Sequence, residues 1–532
     1  MQFQSIKIGF SRGDLMRVKN SIINITAGLG NQLVITALSF FSRTVFINSL
    51  GIEYLGINGL FTNILSMLTL AEAGFGVSII YSLYKPIAEN DKYRIQILMK
   101  FYRNVYMVIA SIILVLGLSI MPFLDLFIKN SKVDNINLIY LIFLLNTVTP
   151  YLYVHKNSFL NACQKGYIVT VTYSVSSILS TCIKIGILNY TQNYILYLII
   201  DSIITIINSI VLAIIVNKMY PYLKNQITGK LDRETKQNLT KNVKALVLQN
   251  VGNYLVFGTD NIIISSFVSV AAVGLYSNYN MLIEICRTFM NQVFNNIYHS
   301  VGNLVAKETS DRVYSLYKVY RFLNFWLYSF ITIFLAILLE PFISLWLGSK
   351  FLMSHSVLAI LMICFYERGM RNSITTVKTT AGIFHEDRFV PLYQAVINLA
   401  FSILLVKYIG ISGVFLGTLI SAIAVPFWTT PYFVYKKVFN KPLKKYFINY
   451  TFYVVVGLAA FFVTKIISSF IPADNVFNLI LIALVCLIVP NIIYIMIFYK
   501  TNEFKYLLAI MKNIIGLLQK KINLNRILRN VG

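Results

Sequence analysis

The chain has 532 residues, of which 57% are hydrophobic and only 12% charged, with a formal net charge of +26. A soluble domain carries about a quarter charged residues, so this composition excludes a chain built from ordinary water-facing domains. A basic excess in a soluble protein would point to nucleic acid; here the placement of the charges gives another answer.

Residues 1–21 hold Lys7, Arg12, Arg17 and Lys19 and are expected to form a short cytoplasmic arm rather than a cleaved signal. Fourteen apolar spans are expected after it, at approximately 22–49, 57–83, 105–128, 136–155, 167–188, 194–217, 245–268, 274–299, 321–347, 354–376, 390–407, 410–433, 446–471 and 477–499. Runs of about 20 apolar residues match the thickness of a bilayer. They are continuous, as in VYMVIASIILVLGLSIMPFLDLFI, and lack the short alternating pattern of barrel strands. The expected fold is therefore an all-α integral membrane protein with about 14 transmembrane helices. The first, second and eighth spans are the least apolar, as suits helices that face a protein interior or a wet cavity.

The lysines and arginines support this count. With both termini in the cytoplasm, 36 of them, Arg321 included, fall in cytoplasmic segments, and only Lys129, Lys132, Lys184, Lys350 and Lys407 lie opposite. Arg43, Arg287, Arg368, Arg371 and Lys465 fall within spans. This is the positive-inside asymmetry, and it accounts for the basic charge without nucleic acid. The longest cytoplasmic loop, 218–244, divides an N-lobe of six helices (22–217) from a C-lobe of six (245–433). Two further helices (446–499) and a basic amphipathic tail (500–532) follow, the tail lying along the cytoplasmic membrane surface. A weak internal echo relates 42–65 to 260–283: an offset of 218 places Gly56 over Gly274 and Arg43 over Asn261. Related halves of this kind are a common transporter plan.

Five cysteines (163, 182, 286, 364 and 486) without a CxxC pair, and four histidines without ligand spacing, argue against disulfide or metal frameworks; the cysteines read as small buried apolar side chains. The charged residues inside spans are the candidate functional set. Arg43, in LSFFSRTVFI, is costly in lipid unless it meets water or an anion, or snorkels to headgroups. Glu367, Arg368 and Arg371 lie in CFYERGMRNS: Glu367 and Arg371 are spaced to pair, and Arg368 and Arg371 to point the same way, leaving surplus guanidinium charge suited to phosphate. Glu284 and Arg287 form another such pair. Glu72, Asp260 and Asp201 are buried carboxylates that either couple transport to a proton or sodium gradient or lock helix contacts. Pro426 lies inside its span and is expected to kink it. No GxxxxGK[ST], HExxH or GxSxG motif occurs, and no cofactor or metal is expected.

The stretch LGIEYLGINGLFTNILSMLTLAEAGFGVSIIYSLY at 50–84, a glycine turn, a polar return helix and an acidic residue among small ones, resembles the O-antigen and capsule repeat-unit flippases. These belong to the multidrug/oligosaccharidyl-lipid/polysaccharide exporter superfamily, and the resemblance spans roughly 15–500 without a strict motif. It implies two pseudo-symmetric six-helix lobes around a central cavity in the bacterial cytoplasmic membrane. Alternating access would move a polyprenyl-pyrophosphate-linked oligosaccharide to the outer leaflet for lipopolysaccharide or capsule synthesis. Membrane lipids and polysaccharide assembly proteins are the implied partners. Arg43 matches the cavity arginine such members often carry; Arg368 and Arg371 fit less specifically, and Lys465 is a weak candidate near the polyprenyl phosphate. The alternatives are an ion-coupled drug or small-cation exporter of the same fold, a membrane-embedded polymerase or glycosyltransferase, and a structural scaffold.

Overall fold

The computed structural model describes residues 34–72, 75–129, 131–224, 229, 231, 254–256, 258–383, 386–509 and 512. The expected N-terminal arm, most of the 218–244 loop and the tail beyond 512 lie outside the described residues. The described chain is helical throughout, with no strand, and divides into two compact units, Met1–Ser277 and Asn278–Gly532.

In the first unit, α1 (Val34–Leu50) and α2 (Ile52–Leu68) meet at 119°. Gly51, at φ 89°, supplies the left-handed backbone of that corner. A 3₁₀ turn, Thr69–Glu72, ends α2 before α3 (Phe75–Ala88), so the second expected span is shared between two helices. α4 (Lys92–Ile120) is capped by the Asp91 side chain, which accepts from the Arg94 N–H. It continues through a short α5 (Leu124–Phe127). α6 (Ile136–Val148) runs through a 3₁₀ turn, Thr149–Leu152, and bends by 46° into α7 (Val154–Ala162). α8 (Gly166–Thr191) and α9 (Tyr194–Met219) form a hairpin with most of their apolar side chains turned outward. Such a surface fits lipid and not water. α10 (Asp260–Phe267) and the start of α11 (Val270–Lys307) complete the unit.

In the second unit, the rest of α11 is followed by α12 (Ser310–Trp346), α13 (His355–Thr380), α14 (Val390–Ile409) and α15 (Ile411–Ala424). Pro426, lacking an N–H to continue the ladder, breaks the next helix at Val425 and opens α16 (Pro426–Val434), which ends in a π-turn at Tyr435–Phe439. α17 (Lys444–Ser469) and α18 (Val476–Phe498) then pack on α12. Phe322 and Phe325 of α12 meet Tyr453 of α17 and Tyr494 and Phe498 of α18. The Trp326 indole donates to Asn491 at 2.6 Å, and the Ser329 and Tyr494 hydroxyls are 2.6 Å apart.

By length and composition, eight helices of the described residues are able to cross a membrane, or ten if each bent pair is one span. On the described residues this criterion does not confirm the expected count of fourteen. The shortfall has physical causes. α11 and α13 are 38 and 26 residues long but carry the charged clusters around Glu284 and Glu367. α3 is short, and the first part of the seventh expected span, 245–253, lies outside the described residues. The chain is a multi-pass membrane protein. Among its cysteines only Cys486 is buried, and Cys182 is exposed, so the expectation of five buried thiols holds for one; α8, which carries Cys182, packs little of its surface.

Candidate functional site

Two groups of polar residues are set among these apolar helices, one in each unit. In the first unit, α2 presents Asn58, Thr62 and Ser66, spaced by one turn and so aligned on one face, and Thr69 of the 3₁₀ turn continues that line. That face looks onto α6, α8 and α9 across a cavity of about 330 Å³. Asp201 of α9 lies on the wall. Its Oδ1 accepts from the Lys184 ammonium at 2.7 Å and from the Ser180 hydroxyl at 3.0 Å. Asn146 of α6 reaches Asp201 Oδ2 only at 3.5 Å, and its own Oδ1 is buried without a partner. The Lys184 ammonium also rests 4.8 Å from the Tyr197 ring centre. Sequence reasoning singled out Asp201 but took Lys184 as a charge on the far side. The available signal was that each breaks an apolar run, 17 residues apart across a tight helical hairpin.

Arg43, on α1, donates from Nη1 to the Ser277 hydroxyl at 3.0 Å and is partly buried. Glu72 sits in the 3₁₀ turn after α2, where the Tyr106 hydroxyl donates to it at 3.4 Å. Asp260 begins α10 with one carboxylate oxygen buried and without a partner. A helix N-terminus favours negative charge there.

In the second unit the arginines of α13 part company. Arg371 is committed to Glu367 through two contacts, Nε to Oε1 at 2.9 Å and Nη2 to Oε2 at 3.1 Å, with both side chains largely buried. Arg368 is exposed although it lies midway along α13. It shares its surroundings with Arg287 and Glu284 of α11 and with Tyr328 of α12. Arg287 pairs with Glu284, so two guanidiniums here face one carboxylate. The expectation that Arg368 and Arg371 point the same way thus gives way to a division: one arginine closes a packed ion pair and the other opens onto accessible space.

Arg321, counted among the cytoplasmic charges, is instead 4% exposed. Its guanidinium lies 5.5 Å from the Tyr317 ring centre and 5.6 Å from that of Tyr453, with a 3.5 Å contact to the Tyr435 hydroxyl. Lys465 is exposed on α17, 5.8 Å from the Phe461 ring centre. Among the described residues no group of three or more His, Cys, Asp or Glu side chains comes together as a metal site.

Known proteins place this architecture. The chain is similar in fold to the lipid II flippase MurJ in its inward closed conformation, at 16% identity and a TM-score of 0.62, covering 91% of this chain and 99% of that one. It is similar to a multidrug resistance MATE family transporter of the MOP superfamily in an inward-facing conformation, at 13% identity and a TM-score of 0.58, covering 76% and 96%. It is also similar to a point mutant of the Vibrio cholerae MATE transporter VcmN, at 15% identity and a TM-score of 0.56, covering 80% and 99%. No curated protein matches the sequence. The sequence of residues 18–298 matches the family described as polysaccharide biosynthesis protein. That segment covers more than half of the chain and includes α1 to α10, so the fold is that of the MOP superfamily and the chain belongs to the polysaccharide biosynthesis protein family.

Proposed function

We propose that this protein is a flippase that moves polyprenyl-pyrophosphate-linked oligosaccharide repeat units from the cytoplasmic to the outer leaflet for surface polysaccharide synthesis. The observation that carries the reading is Arg368, exposed in mid-helix beside Arg287 and Glu284 within an otherwise apolar unit. A pyrophosphate headgroup cannot cross hydrocarbon unaided, and guanidinium forks on accessible surface offer it a cationic path. The polyprenyl tail needs no such shelter. Arg43, Arg287 and Arg368 are the residues assigned to the anion; Arg371 holds Glu367. The moving bodies of this reading are the six-helix lobes 22–217 and 245–433, in the bacterial cytoplasmic membrane with both termini inside. Net transport requires two conformations of unequal access and affinity. Glu72 and Asp260 are the carboxylates available for proton or sodium coupling; Asp201 is held by the Lys184 ammonium. Membership of a polysaccharide biosynthesis family supports an O-antigen or capsule substrate over a drug. A small cation would gain nothing from surplus arginine.

The test is reconstitution in proteoliposomes and measurement of leaflet exchange of the host's lipid-linked oligosaccharide, with and without proton and sodium gradients. Exchange is expected from wild type and not from empty vesicles. Chemical alteration of the lipid-linked sugar without exchange would overturn the reading in favour of a membrane-embedded glycosyltransferase or polymerase.

A further inference from the structure

We propose that the cavity in the first unit is a saccharide subsite that takes one uncharged, hydroxyl-rich sugar of the transported unit. The inference rests on the flippase reading and gives the sugar portion of the substrate its own place, apart from the arginines.

The cavity encloses about 330 Å³, at the small end of the ~300–1,000 Å³ typical of ligand pockets, which suits a group the size of a monosaccharide. Its walls are polar on helices that otherwise bury or expose apolar side chains. Four hydroxyl or amide side chains line up along α2 and the 3₁₀ turn after it, and Asn146 and Thr147 of α6 face them. Polar groups among membrane-spanning helices are costly and mark passages or binding sites.

The charges say which ligand fits. The Lys184 ammonium lies 2.7 Å from Asp201 and neutralises it. A pyrophosphate would meet the carboxylate, and an inorganic cation would meet the ammonium, so neither gains. A sugar ring offers hydroxyls that donate and accept at once. The wall is a matching mixture. The Asn146 Oδ1 is a buried acceptor without a partner, and Asp201 Oδ2 has only a 3.5 Å contact, so both have capacity for a hydroxyl donor. On the facing wall the Thr62 hydroxyl supplies a donor, while Ser66 and Thr69, whose O–H groups go to the Thr62 and Ser66 carbonyls, keep lone pairs to accept.

The experiment compares two lipids in proteoliposomes: the host's own lipid-linked oligosaccharide and the same polyprenyl pyrophosphate without sugar. Wild type is expected to exchange the glycosylated lipid faster. Asn146→Ala and Thr62→Val each remove one hydrogen-bonding group and are expected to lower that rate ratio about fivefold, the worth of a hydrogen bond. The double variant Lys184→Met/Asp201→Asn, which removes both charges, is expected to abolish the preference. Melting curves of each variant in detergent establish that it is folded, and a variant that fails this check is read through the other two. A wild type that exchanges both lipids equally overturns the subsite. So do variants that slow both lipids alike, or that leave the ratio unchanged, as for a cavity holding only water. A wild type that exchanges neither lipid overturns the flippase reading itself.

Discussion

Gly56 and Gly274 occupy reciprocal places. A Cβ on Gly56 would lie 1.9 Å from the Val270 carbonyl oxygen, and one on Gly274 would lie 2.3 Å from that of Ile52. In each case the helix meets the residue one turn before its counterpart's glycine. The sequence offset of 218 maps Ile52 onto Val270 and Gly56 onto Gly274, so the weak internal echo corresponds to a two-way contact between the starts of α2 and α11. Small residues at helix crossings let backbones approach this closely within a membrane.

Alanine at either glycine therefore forces backbone apart rather than a side chain aside. Gly56→Ala and Gly274→Ala are each expected to destabilise the protein by about 1–3 kcal/mol, the usual cost of overpacking. Thermal melting in detergent checks this; an unchanged melting temperature for both would refute the close crossing.

The Lys184–Asp201 pair gives a prediction about order. Lys184→Met leaves a carboxylate among apolar helices, whereas Lys184→Met/Asp201→Asn leaves none. The single variant is expected to lose about 2–3 kcal/mol, below the ~3–5 of a fully buried pair because Asp201 is 33% exposed. The double variant is expected to recover most of it. Denaturation of the purified proteins in one detergent decides the comparison, and a double variant weaker than the single one contradicts it.

The two arginines of α13 are expected to fail differently. Arg368→Ala should lower leaflet exchange at least tenfold, on the order of the 1.5–3 kcal/mol of a charge-assisted hydrogen bond, with membrane abundance unchanged. Arg371→Ala strands the buried Glu367 carboxylate and should lower abundance or melting temperature first. Exchange assays paired with quantification of inserted protein separate the two; a swap of these phenotypes would reverse the assignment.

Arg321 tests a third kind of cation. Its tyrosine cage rewards a flat, weakly hydrated guanidinium. Arg321→Lys keeps the charge and is still expected to cost about 1–2 kcal/mol in a melting experiment. A lysine variant as stable as wild type would mean that charge alone matters there.

The sequence made the helices legible because apolar runs of membrane length leave no other way to satisfy the backbone. It also exposed the residues that break those runs, among them Arg43, Asp201, Glu284, Arg287 and the Glu367 to Arg371 cluster. What it hid was partnership. Whether Arg368 joins Arg371 depends on which neighbours flank α13, and a step of three residues turns the side chain by a part of a turn that only packing interprets. Lys184 meets Asp201 only because α8 and α9 are level in their hairpin. Arg321 read as a flanking charge because α12 was expected to start at 321; it starts at Ser310 and carries the arginine into a nest of rings contributed by α12, the π-turn after α16, and α17. Chain spacing reports none of these.

The docking of α17 and α18 has a consequence for descent. Trp326 and Ser329 on α12 spend their polar atoms on Asn491 and Tyr494 of α18, and Ser329 also lies against Gly457 of α17. Without the terminal pair, those atoms would face acyl chains that offer no hydrogen bond. A shorter cousin ending at the counterpart of α16 should therefore show aliphatic side chains at the places of 326 and 329, so that α12 itself records whether the two last helices were ever there.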